Sequence, residues 1–276
     1  MVLLTHPKQI KGLMPVSSKA IYSSKIIKAG ALLADTKTLL ANWDVSRSVS
    51  DNLAQFRREN LFGKASRSRV EAILRIFYQR YLADETVAKA LVSLVNSNFS
   101  SEGLNRILFF HAAQSDRLLH DVVTDLLASM YEVGRYEVGT NDVKAWISQQ
   151  ISEGKTQGEW SDATITRCAR ESLATLRDFG ILQGAVKKRL APSFVPVEAF
   201  AYIALYLKHR QPSGAKLIHD PEWQLFFLPP KAVERLFVEA HQTHLLEFYA
   251  AGSIIRIDFP TESIEEYAHV IAQRPY

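Results

Sequence analysis

The sequence predicts a mainly α protein. An N-terminal helical bundle is followed by a winged helix-turn-helix-like unit and a small helix–β-hairpin–helix C-terminal segment. Three observations carry this. From Ile21 to Tyr131 apolar residues recur at three- and four-residue spacings, with no alternating run. After Gly134 and Gly139 the pattern becomes helix, polar connection, helix and basic hairpin. Near the C-terminus two short strand-like runs flank Ala250-Ala251-Gly252, between helical stretches. The expected units are an arm (1–20), the bundle (21–135), the winged unit (136–210) and the C-terminal segment (211–276).

Each element has a local reason. Residues 1–20 hold Pro7, Gly12 and Pro15 without a period, and read as an extended lead-in. Ala31 to Ala41 carries Leu32, Leu33, Leu39 and Leu40. Ser48 to Asn60 carries Val49, Leu53 and Phe56, with Ser50 as the expected cap. Ser66 to Leu82 is the clearest early helix: Ser66 is placed to cap it, and Val70, Ile73, Leu74, Phe77, Tyr81 and Leu82 form one stripe. Asp84–Val95, Gly103–Ala113 and Ser115–Tyr131 continue the bundle. Asn141–Gln150 turns Val143, Trp146 and Ile147 inward, and the polar stretch Glu153–Glu159 follows. Ser161 opens a helix that runs to about Asp178, where Gly180 is placed to end it. Ile181-Leu182 and Lys187–Ala191 fit a hairpin, and Pro196 starts a helix over Val197–Arg210. Pro230–Gln242 reads as a helix, Leu245–Tyr249 and Ser253–Phe259 as strands, and Thr261–Gln273 as the closing helix.

Composition bounds the function. The 276 residues are 47% hydrophobic and 22% charged, as in ordinary globular proteins. One cysteine, Cys168, excludes a disulfide framework and a Cys-pair zinc site, and fits a reducing compartment. The most apolar stretch, Val197–Leu207, is too short to span a bilayer and contains Glu198. The N-terminus lacks the charged start and long apolar run of a signal peptide. The expectation is a cytoplasmic protein with no membrane partner.

Charge is distributed unevenly. Residues 1–80 carry +9, 81–165 carry −6, 166–216 carry +6 and 217–276 carry −5. Basic blocks attract phosphate, while acidic blocks keep other surfaces off it. Solvated helix faces that balance one another would give the same totals.

The sharpest feature is the stretch from Ser161 to Gly180. At 100° per residue, Ile165, Cys168, Ala169, Ser172, Leu173 and Leu176 share one side. Thr164, Arg167, Arg170, Glu171 and Ala174 share the other, and Lys187, Lys188 and Arg189 follow in the hairpin. A helix fits the major groove, where Arg pairs bidentately with guanine and Thr meets a thymine methyl. The helix start at Ser161 suits a phosphate. The competing reading is a protein-binding unit in which Glu171 merely pairs with Arg167. A second basic site is Arg57 and Arg58, followed by Lys64, Arg67 and Arg69 at a helix start. Cations there oppose the helix dipole, and a bound phosphate would relieve that cost. Alternatively, Glu71 and solvent absorb the charge.

Enzyme signatures are absent. There is no phosphate-binding glycine loop and no Gly-x-Ser-x-Gly. His241 and His244 lack the glutamate and third ligand of a zinc site. His111 and His120 read as caps or packing groups, and Cys168 as core. Phe109, Phe110, Phe226 and Phe227 read as core, while Tyr202 and Tyr206 could still be exposed. No catalytic residue, metal or cofactor is expected.

Three stretches carry a family resemblance. AGALLAD (29–35), Trp43-Asp44 and ENLFGKASRSR (59–69) resemble the BrxA family, small accessory proteins of BREX phage-defence systems. TRCAR (166–170) through LRDFGIL (176–182) is similar to a second block of that family, and PVEAFAY (196–202) to a third. The resemblance implies a non-enzymatic protein that binds double-stranded DNA, with a NusB-like helical N-terminal half. It further implies work beside a DNA methyltransferase and a large ATPase. Members have been labelled inner-membrane proteins, a label this sequence does not suit. Two rivals to DNA binding stand: a protein-interaction scaffold recruiting through the acidic 217–276 block, and RNA binding by the NusB-like helices.

Overall fold

The computed structural model describes residues 22–64, 66–252 and 254–274, so the expected arm at 1–20 lies outside the described residues. The protein is mainly helical with a few short strands, as the sequence predicts. Its first part comprises α1 (Ile26–Ala29), α2 (Leu33–Ala41), α3 (Val49–Glu59), α4 (Arg67–Phe77), α5 (Glu85–Val95) and α6 (Ser101–Ser115). α7 (Arg117–Asp121) and α8 (Ala128–Glu132) follow, joined by a π-helical turn over Val122–Leu127. A second π-helical turn, Tyr78–Leu82, extends α4, where the sequence predicts one regular helix.

Helix starts follow cap chemistry. The Oγ of Ser100 accepts from the Gly103 N–H at 3.0 Å, and Asp84 accepts from the Thr86 N–H at 2.9 Å. At α3 the cap is Ser48, not Ser50: its Oγ accepts from the Asp51 N–H at 3.1 Å. Ser66 stands at the N-cap position of α4 but makes no side-chain cap bond.

From Gly103 to Ala113 every residue of α6 except Asn105 is buried, so the helix lies inside. Ile107, Leu108, Phe109, Phe110 and Ala112 are fully buried. It packs on α11 (Val197–Lys208), another helix buried nearly all round. Tyr202, open to exposure from sequence, is fully buried, with its hydroxyl 3.1 Å from His111 Nε2. α11 in turn meets α13 (Pro230–Gln242) and α14 (Ile264–Ala272). α14 lies along α5, where Ser93 Oγ is 2.9 Å from His269 Nδ1. One apolar cluster therefore runs from Tyr22 to Ile271.

Along the chain between α8 and α11 come β1 (Glu137–Val138), α9 (Thr140–Ser152), α10 (Asp162–Asp178), β2 (Leu182–Gln183) and β3 (Lys188–Leu190). β3 is central and antiparallel to both neighbours, pairing Leu190 with Leu182 and Lys188 with Val138. The remaining elements are α12 (Gly214–Ile218), a 3₁₀ turn at Pro221–Phe226, and the hairpin β4 (Glu247–Ala251) and β5 (Ile254–Asp258). Ala250 and Ala251, read from sequence as turn residues, belong to the ladder opposite Ile255 and Ile254.

Candidate functional site: a nucleic-acid interface

α10 is held at both ends. At its start Ser161 Oγ accepts from the Thr164 N–H at 3.2 Å and lies 3.0 Å from Thr164 Oγ1. Beside that cap, Asp162 pairs with Lys144 of α9 at 2.9 Å, which holds its carboxyl below the usual range. A carboxylate in the first turn competes with any phosphate placed there, so Ser161 acts first as a cap. At the other end the buried Arg106 of α6 donates to the Phe179 carbonyl at 3.1 Å and the Phe194 carbonyl at 3.0 Å. Gly180, at φ +77°, packs its α-carbon side against this guanidinium.

The two sides of α10 differ as the spacing predicts. Ile165, Cys168, Ala169, Ser172, Leu173 and Leu176 are buried. Burial pushes the Cys168 thiol up to about 11, as suits a core residue. Arg167 and Arg170 are exposed, and Thr164 and Glu171 are half-buried. Arg167 and Glu171 do not form an ion pair. In the following hairpin Lys187 and Arg189 are exposed, while Lys188 is half-buried and donates to the Ala185 carbonyl at 3.2 Å. Val186, at the hairpin tip, is 94% exposed. The tip needs glycine at 184: φ is +95°, and a Cβ there would sit 2.1 Å from the Lys187 carbonyl oxygen.

The second basic cluster is partly neutralised. Arg57 pairs with Glu71 at 2.8 Å and Lys64 with Asp35 at 3.0 Å. Arg69 donates to the Lys28 carbonyl at 2.9 Å. Arg58 and Arg67 are exposed and, among the described residues, make no ion pair. The cluster is not remote from α10, because α1 packs against both α4 and α10.

A buried polar network escaped sequence reasoning. His120 lies between Asp121 (Nδ1 to Oδ1, 2.8 Å) and Glu222 (Nε2 to Oε2, 3.1 Å). Tyr22 donates to Asp121 at 2.7 Å, and Arg117 reaches the same carboxylate at 2.8 Å. Burial alone would lower the proton affinity of His120, but hydrogen bonds to the two carboxylates outweigh it and push the imidazole up to about 9. His111, with no such partner, is lowered by burial to about 4. His241 faces its own hairpin, with Nδ1 3.3 Å from the Phe248 N–H, and His244 lies past the end of α13. Among the described residues no group of three or more His, Cys, Asp or Glu could hold a metal ion. None of the described helices is long and apolar enough to cross a membrane.

The model of the BrxA family matches residues 20–205. The chain belongs to the BrxA family. That membership places it in a BREX context. The BrxA match covers both basic clusters, the bundle and the β1–α9–α10–β2–β3 unit, and ends within α11. No curated protein matches the chain.

Proposed function

We propose that this BrxA-family chain is a non-enzymatic, sequence-tolerant binder of double-stranded DNA in a BREX system. The observation that carries the reading is α10. One side is buried, the other offers Arg167 and Arg170, which among the described residues make no ion pair, and a basic hairpin follows at once. The element order strand, helix, helix, hairpin, with β3 central, supports a winged helix-turn-helix. In this reading α10 enters the major groove with Arg167 and Arg170 on the phosphates of its walls, and Lys187 and Arg189 lie on the neighbouring backbone. Arg58, Arg67 and Arg69 extend the contact. Arg57 and Lys64 join only by leaving Glu71 and Asp35. A DNA methyltransferase and a large ATPase are the partners the BREX context suggests.

The test is fluorescence anisotropy of a labelled duplex titrated across salt. Each phosphate neutralised contributes about −0.9 to the slope of log K against log salt. With Arg167, Arg170, Lys187 and Arg189 engaged, the slope reaches about −4 or steeper. Arg167→Glu with Arg170→Glu should flatten it by roughly 2. Absence of binding at low salt, or a flat slope, defeats the proposal. Structured RNA that competes as well as duplex DNA would favour RNA binding instead. A scaffold role has its own support in the β4–β5 hairpin, where Tyr249 and Ile254 are exposed. Co-purification of a partner that survives charge reversal of both basic blocks would favour it.

A further inference from the structure

We infer that the cleft between α8 and the 218–230 segment is a recognition pocket for an arginine side chain presented by a basic segment of a partner protein. The inference is independent of the DNA reading and concerns a surface of opposite character. The cleft encloses about 260 Å³. Its walls are apolar, with Ala128, Ile218, Phe227 and Leu228 around the Tyr131 ring. The ring is fixed in place: it stacks on Phe227 at 5.4 Å and lies T-shaped to Tyr136 at 5.8 Å. Phe227 holds φ +54°, a costly conformation for a bulky residue, and thereby turns its ring into the wall.

The polar groups at the cleft select the occupant. Glu132, His219, Asp220 and Gln224 line it, and no lysine or arginine does. Glu132 is exposed and, among the described residues, makes no ion pair. Asp220 uses Oδ1 to accept from the Glu222 N–H at 3.0 Å, which leaves Oδ2. His219 Nδ1 lies 2.9 Å from the Ala215 carbonyl oxygen. A carbonyl only accepts, so Nδ1 carries a proton and is turned away from the occupant. The two carboxylates, Glu132 and Asp220, offer only acceptors.

A guanidinium has five donors and no acceptor, and its aliphatic stem covers apolar walls. A phosphate would meet two carboxylates and is excluded. Next to Glu132, Val133 is 79% exposed and Tyr136 is 45% exposed. They extend the rim for apolar neighbours of the incoming arginine.

The experiment titrates N-acetyl-L-argininamide into the full chain and follows backbone amides by ¹H–¹⁵N NMR. Saturable shifts at 131–133 and 218–220 are expected. N-acetyl-norleucinamide, which keeps the stem and lacks the charge, should bind at least fivefold more weakly. Glu132→Lys, an exposed change that spares the fold, and Ala128→Trp, which fills the cleft, should each weaken binding at least tenfold. Equal binding of the norleucine probe, no loss in Glu132→Lys, or shifts that do not saturate would each overturn the inference. So would self-association abolished by the same two variants, which would make a second copy the occupant.

Discussion

Changing pH sets the buried His111 against the half-buried His120, and the structure fixes where. His120 is pushed up to about 9 by Asp121 and Glu222. A group that binds its proton more tightly when folded stabilises fully below its unfolded value, near 6.5, and that contribution is lost as pH rises through about 9. His111 is lowered by burial to about 4, so it stabilises fully above 6.5 and the contribution is lost as pH falls toward 4. At ~1.4 kcal/mol for each tenfold change in proton affinity, either effect has a ceiling of ~3 kcal/mol. Asp121 and Glu222 are held below their usual range by the same contacts, so their shifts are not added. Urea unfolding across pH should therefore give a dome centred near 6.5, with each limb falling by up to ~3 kcal/mol. His120→Asn should flatten the alkaline limb, and should also reduce the part of the acidic limb that Asp121 and Glu222 supply, because His120 holds both carboxylates low. A stability unchanged between pH 6.5 and 9 in the unmodified protein would refute the reasoning. The alkaline limb has a local consequence. Glu222 neighbours Asp220 and Pro221, which line the α8 cleft, so proton loss from His120 should loosen the wall of that cleft first.

Two other outcomes follow from single residues. Arg106→Met leaves the Phe179 and Phe194 carbonyls without their donor, which should cost about 2–4 kcal/mol in chemical unfolding. A loss below ~0.5 kcal/mol would mean those carbonyls find water instead. Gly184→Ala forces a Cβ against the Lys187 carbonyl and should weaken duplex binding severalfold in anisotropy, with little change in melting temperature. Unchanged affinity would remove the hairpin tip from the interface.

Helices with strong end signals were legible to within a residue. α10 begins after Ser161 and stops before Gly180, and α13 spans Pro230–Gln242, as their caps and stripes predict. Elements fixed by distant partners were not. β1 is two residues long and exists because β3, fifty residues later, pairs with it. The π turn at the end of α4 leaves an apolar stripe that a regular helix would also give. The His120 network joins residues near 22, 121 and 222, and no local spacing announces such a contact. The two faces of α10 were legible because helical periodicity alone separates buried from exposed positions. Pairing of surface cations was not, since it depends on side chains that meet only in the fold.

That last point ranks the cations and can be tested. The +9 of residues 1–80 overstates what a phosphate would feel there, because Arg57 and Lys64 already face carboxylates at 2.8 and 3.0 Å. Such half-exposed pairs are worth at most ~1 kcal/mol, so DNA can break them, but a cation taken from its carboxylate leaves that carboxylate exposed and so adds less net charge against the phosphates. Glu71 would then stand near the backbone and repel it. Arg170 carries no such debt. Arg170→Gln should therefore reduce the salt slope by about 0.9, and Arg57→Gln by less than half as much. Equal slopes for the two variants would mean that ion pairing in the free protein does not decide which cations bind, and that the N-terminal cluster grips DNA as firmly as α10.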